Sequence, residues 1–106
     1  MHVRIETESP YTLIHLEGEV DLNTSPQARA AILEALSRNA PLFVDLSLVA
    51  YMDSSGVASL VEGYQTARRQ NLRFALVAVA PAVLGVLRLA RLDRVFPIHA
   101  SLAEAL

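Results

Sequence analysis

The chain has 106 residues, of which 53% are hydrophobic, 19% charged and 6% aromatic, with a formal net charge of -2 and no cysteine. A chain of this size buries roughly two thirds of the surface its unfolded form exposes, enough for one apolar core and too little for two, so residues 1-106 are expected to form one domain. Without cysteine there is no disulfide, thiolate metal site or thiol nucleophile, which excludes zinc ribbons and disulfide scaffolds and fits a cytoplasmic setting.

Residues 1-10 carry Arg4, Glu6 and Glu8 and so lack the apolar centre of a secretory signal. No run reaches the ~20 apolar residues of a membrane helix, because Arg73 and Arg88 bracket the most apolar stretch, and no direct membrane insertion is expected. All nine basic residues are arginine; residues 1-50 hold seven acids against three bases, and residues 51-106 hold four acids against six. A nucleic-acid binder would show a basic excess interleaved with aromatics. Here only Tyr64 lies near Arg68, Arg69 and Arg73, so the charges read as solvated faces and no nucleic acid is expected as a partner.

In chain order, Val3 to Glu6 and Thr12 to Glu17 alternate as short strands on either side of the turn-prone Ser9-Pro10, which predicts an antiparallel pair. Gly18 is expected to end the second strand. Ser25-Pro26 then predicts a helix start, with proline at a position where its missing N–H costs nothing and Ser25 as the cap. Ala28, Ala31, Ile32, Ala35 and Leu36 form its buried stripe. Leu42 to Val49 is a mostly apolar run, as expected of a central strand covered on both faces. After Asp53-Ser54-Ser55-Gly56 the period changes from two to 3.6, with Val57, Leu60, Val61 and Tyr64 on one side of a long helix that Asn71 can close. Leu72 to Val79 supplies another strand, completing a right-handed βαβ unit with parallel strands. A third helix is predicted from Pro81 to Ala90, an edge strand from Val95 to Ile98, and a helical turn or two from Ser101 to Leu106. The fold class is therefore α/β, a mixed β-sheet with helices packed against it.

The junction Asp53-Ser54-Ser55-Gly56 delivers the chain from a buried strand to a helix start, where unpartnered N–H groups favour an anion. Capping by Asp53, Ser54 or Ser55 accounts for the same residues. A serine-hydrolase elbow would need G-x-S-x-G and a histidine base, and a phosphate-cradling loop would need more glycines and a lysine. Neither pattern is present. His15 alternates with Ile14 and Leu16 and is expected on the outer face of a strand, which leaves no metal cluster. No catalytic site and no cofactor is predicted. Gly56, Ala58 and Ser59 are small enough either to let a partner approach or to pack the helix on the sheet, and Leu84 and Leu89 fall off the stripe of the third helix as candidates for a second apolar contact surface or for the core.

Gly18-Glu19-Val20-Asp21, Val44-Asp45-Leu46-Ser47, Met52-Asp53-Ser54-Ser55-Gly56-Val57 and Leu92-Asp93-Arg94-Val95-Phe96, in this order over residues 3 to 106, resemble the STAS domain family and specifically its bacterial anti-sigma factor antagonists. The resemblance implies a single STAS-type domain and a partner-switching, non-enzymatic function. Unmodified, such a protein binds an anti-sigma factor that is also a serine kinase; phosphorylated, it lets go, and a serine phosphatase resets it. The family's acceptor falls on Ser54. Asp53, Ser55, Gly56 and Ser59 surround it as partner-binding residues, and the Gly18 to Ser25 segment resembles the neighbouring loop, which adds Asp21, Asn23 and Thr24. An alternative within the same family is a STAS subunit that regulates or scaffolds a membrane ABC transporter of the lipid type. Those relatives usually carry threonine or another residue at the position of Ser54. The chain departs from the usual antagonist pattern at Leu84-Gly85, where charges are commoner, and at Arg91, where glycine is commoner.

Overall fold

The two alternating segments at the start pair antiparallel as β1 (His2–Thr7) and β2 (Thr12–Val20), with Val3 opposite Leu16 and Ile5 opposite Ile14. The computed structural model describes residues 1–106 and continues with α1 (Ser25–Leu36), β3 (Leu42–Met52), α2 (Ser54–Arg69), β4 (Phe74–Val77), α3 (Pro81–Leu89), a 3-10 turn (Leu92–Arg94), β5 (Ile98–His99) and α4 (Leu102–Ala105). The five strands form one sheet in the order β1-β2-β3-β4-β5. Every pairing after the first is parallel.

The principal core lies on one face of the sheet. Ile14, Leu16, Val44, Leu46 and Leu76 meet Ile32 and Leu36 of α1, Leu60 of α2, and Val83 and Leu87 of α3. The opposite face carries a smaller cluster, Leu13, Phe43, Ala75 and Val77, covered by Ala105 and Leu102 of α4. Beyond that cluster the face is open, and Ser47, Leu48 and Tyr51 are exposed. The expectation that β3 is covered on both faces therefore holds only for its first half, because α4 is too short to reach the second. His15 sits on this outer face as expected, its Nδ1 3.2 Å from Asp45 Oδ2 and its Nε2 3.5 Å from Glu6 Oε1. No group of three or more His, Asp or Glu could hold a metal ion.

Several element ends differ from the sequence reading. Gly18 does not end β2; with φ +92° it forms an irregularity that lets the strand continue to Val20 alongside an equally extended β3, Glu19 opposite Tyr51 and Val20 opposite Met52. Thr24, and not Ser25, precedes the first helical residue of α1, and Ser25 is buried. The expected edge strand over Val95 to Ile98 is instead irregular chain as far as Pro97, after a 3-10 turn at Leu92–Arg94, and only Ile98–His99 pair as a strand. Asn71 takes the left-handed conformation beyond α2 as predicted, and Ala78 takes it where β4 stops. Leu84 is partly buried, whereas Leu89 is 89% exposed.

Arg91 follows α3 with φ 60°. A side chain bearing Cβ is strained there, and glycine would fit this backbone without that strain. Arg91→Gly is expected to stabilise the fold by ~0.5–1 kcal/mol after the extra freedom of the unfolded chain is subtracted. Urea titration measures it as a shift of the midpoint at unchanged slope.

Candidate functional site

Parallel pairing brings the carboxyl ends of β2 and β3 to the same rim, and the Asp53 N–H donates to the Val20 carbonyl at 3.2 Å. The chain then turns into α2 with Asp53 in extended conformation as its cap. The carboxylate accepts from the N–H of Ser55 at 2.9 Å and, at 3.4 Å, from that of Gly56. Because the aspartate fills this role, neither serine hydroxyl is needed for it. Ser54 is the first helical residue, exposed, and its hydroxyl makes no hydrogen bond within the chain. Asp53→Ala should cost ~1 kcal/mol of stability through the lost cap, readable as a lower thermal midpoint with an unchanged far-ultraviolet spectrum.

Close packing sets the helix on the rim. A Cβ on Gly56 would lie 2.6 Å from Met52 Cγ, 2.9 Å from Val20 Cγ1 and 2.9 Å from the Val20 carbonyl oxygen, so only glycine lets α2 start this close to β2. Three residues on, the buried Ser59 hydroxyl reaches the Ser55 carbonyl at 3.2 Å and the Ser25 carbonyl at 3.3 Å. Gly56 and Ser59 therefore pack beneath the site, the second of the two roles their small size allows. Both are buried, Ser59 at 6% exposure. Ala58 is the small residue that does face outward. Beside it, Ser25, Arg29, Ser55, Ser59 and Glu62 line a shallow depression of about 290 Å³ between α1 and α2, bridged by the Arg29–Glu62 ion pair.

The neighbouring loop closes on itself. Asp21 Oδ1 accepts from the N–H of Asn23 at 3.0 Å and of Thr24 at 3.1 Å; the Thr24 hydroxyl accepts from the Asp21 N–H and donates to the Glu19 carbonyl, both at 2.9 Å. Asp21 and Thr24 thus shape the loop, which displays Asn23 and, at 74% exposure, Leu22. Leu22 is an accessible apolar side chain that the sequence reading passed over, although a leucine inside Asp-Leu-Asn-Thr was the available signal. Tyr51, 50% exposed, lies in the part of β3 beyond its predicted end.

Desolvation raises the Asp21 pKa, and the hydrogen bonds from Thr24 and Asn23 together outweigh it, leaving the carboxyl below its ordinary value of 3.8. A folded-state pKa below the unfolded one gives stability that is present above the unfolded value and lost as the pH falls through the folded one. Asp21→Asn should therefore flatten the loss of stability below about pH 4, as followed by urea midpoints across acid pH.

The rim thus joins an unencumbered serine hydroxyl, a carboxylate-capped helix start and an ordered acidic loop. A family model described as "Mlab, STAS domain" matches residues 3–102. The chain belongs to the STAS domain family. A 108-residue alignment covering 100% of this STAS chain and 92% of the relative gives 28% identity to an anti-sigma F factor antagonist of Paenibacillus polymyxa. The crystal structure of an anti-sigma factor antagonist from Mycobacterium paratuberculosis superposes with a TM-score of 0.86 at 28% identity, covering 98% of this chain and 89% of that one. The Bacillus protein SpoIIAA in its phosphorylated form shares the fold at TM-score 0.76 and 24% identity, over 98% of this chain and 96% of that one. The mixed five-stranded sheet read from the sequence is the architecture of these STAS structures. No helix of the chain is long and apolar enough to cross a membrane.

Proposed function

We propose that this STAS domain is an anti-sigma factor antagonist that binds an anti-sigma factor with serine kinase activity while Ser54 is unmodified and releases it when Ser54 is phosphorylated. The observation that carries the reading is the division of labour at the start of α2: Asp53 caps the helix, so the Ser54 hydroxyl stays exposed and unbonded. The antagonists of Paenibacillus polymyxa and Mycobacterium paratuberculosis, at 28% identity over nearly the whole chain, support it. Leu22 and Asn23 supply accessible contact area beside the acceptor, and Asp21 and Thr24 hold the loop in shape for docking. The domain performs no chemistry itself; the kinase supplies the phosphoryl group and a separate serine phosphatase removes it, both in the cytoplasm.

Incubation of the purified domain with extract of its source cells and ATP, followed by peptide mass spectrometry, tests the assignment. A gain of one phosphate on Ser54, absent from Ser54→Ala, is expected. Phosphate found only elsewhere, or nowhere, overturns it. In the alternative reading the domain is a subunit of a membrane ABC transporter, and it then co-purifies with a permease whatever residue stands at position 54.

A further inference from the structure

Three of the chain's nine arginines are engaged by carboxylates: Arg4 with Glu6, Arg29 with Glu62 and Arg38 with Glu34. Five others, Arg68, Arg69, Arg88, Arg91 and Arg94, make no ion pair and gather where the end of α2 meets the end of α3 and the 3-10 turn. Two depressions flank that turn. One, of about 590 Å³, has Arg68 and Arg69 on its margin and an apolar lining that includes Val61, Leu92, Val95 and Phe96. The other, of about 410 Å³, is lined only by Arg88, Arg91, Asp93 and Arg94. Asp93 is the single acid among the lining residues of both. Val95 is 44% exposed, and Leu89, next to Arg88, is the most exposed large apolar residue of the chain.

We infer that this corner is a second docking surface, and that it takes an acidic segment of a partner protein carrying one bulky apolar side chain. Charge complementarity names the occupant: unpaired guanidiniums at the margin attract and orient carboxylates. The apolar hollow between them leaves room for a side chain, and a buried anchor ringed by polar contacts is how such sites concentrate binding energy. A nucleic acid fits less well, since stacking needs an open aromatic face. Tyr64 instead packs edge-on against Phe74 and Phe96 and is overlaid by Arg68. A lipid surface would call for a continuous protruding apolar face, whereas Leu89 and Val95 protrude singly and the larger depression beside them is concave. Along α2 the lining residues Val61 to Arg69 lie about 10 to 22 Å beyond Ser54, so this corner is separate from the acceptor.

The test uses the isotope-labelled full chain and the peptide acetyl-Glu-Glu-Trp-Glu-Glu-amide, read by amide chemical shifts. Shifts centred on Tyr64, Leu92, Arg94 and Val95, a Kd below the millimolar range, and affinity that falls with salt are expected. The double variant Arg68→Ala/Arg94→Ala should weaken binding about tenfold while keeping its spectrum dispersed. Ser54→Asp should bind the peptide as the parent does, which separates this surface from the switch. The inference is overturned if those amides do not move, if a peptide with glycine in place of tryptophan binds equally well, or if duplex DNA or phosphatidylglycerol vesicles displace the peptide at equal charge.

Discussion

Ser54→Asp is expected to weaken binding to the partner kinase by about tenfold to a hundredfold, and phosphorylation of Ser54 by several hundredfold, while Ser54→Ala stays within about threefold of the parent. The ordering follows from the way the helix start is built. A phosphoserine brings about -1.5 to -2 charges at neutral pH, and a helix N-terminus ordinarily stabilises an anion there by ~0.3–1 kcal/mol. In this chain the N–H groups of Ser55 and Gly56 already face the Asp53 carboxylate. An added phosphate must compete with that carboxylate for them or remain turned toward the partner. Either way the domain keeps its fold, and the new charge has to be stripped of water when a neighbour covers the rim. An uncompensated charge of that kind readily costs ~3–4 kcal/mol, which is the several hundredfold. Calorimetric titration of the three forms against the partner measures the series. Equal affinities for the alanine and aspartate variants would remove Ser54 from the interface.

The second large effect is one of stability. Gly56→Ala should cost about 2–3 kcal/mol, because one of the three atoms the new methyl meets is the Val20 carbonyl oxygen, which is fixed by the sheet. For a domain of this size that corresponds to a thermal midpoint lower by about 10–20 °C. Gly85→Ala is the control. A Cβ there meets nothing within 4 Å, and the position lies inside α3, so alanine should raise stability by ~0.5–1 kcal/mol. Opposite signs for the same chemical change, measured by calorimetric melting, would show that contact at the rim, and not helix propensity, governs Gly56.

Much of this architecture can be read without coordinates because its signals are local. The stripe of Ala28, Ala31, Ile32, Ala35 and Leu36 marks α1, and all five residues are buried. The change of period after Gly56 marks α2. What escapes such reading depends on neighbours distant in the chain. Gly18 breaks the pattern of an isolated strand, but pairing with β3 carries β2 past it. The same pairing extends β3 to Met52 and so places Tyr51 beside the loop. Small size is also ambiguous in a sequence: Gly56 and Ser59 are small because a strand and a helix press on them, whereas Ala58, between them, faces water. Asp21, Asn23 and Thr24 all fall at the rim, yet only coordinates show that Asp21 and Thr24 are turned inward on their own loop. Arg91 is the converse case, a departure from pattern visible in the sequence whose physical meaning is a left-handed backbone.

The sheet's strand order runs in step with the chain, each new strand adding to the same growing edge. Open α/β sheets that hold nucleotides usually reverse direction once, and the reversal parts two helices to leave a cleft above the strand ends. With no reversal, α1, α2 and α3 all pack on one face of the sheet. A molecule wound this way meets its surroundings with a broad shoulder in place of a crevice, a shape suited to another protein's surface more than to a small metabolite.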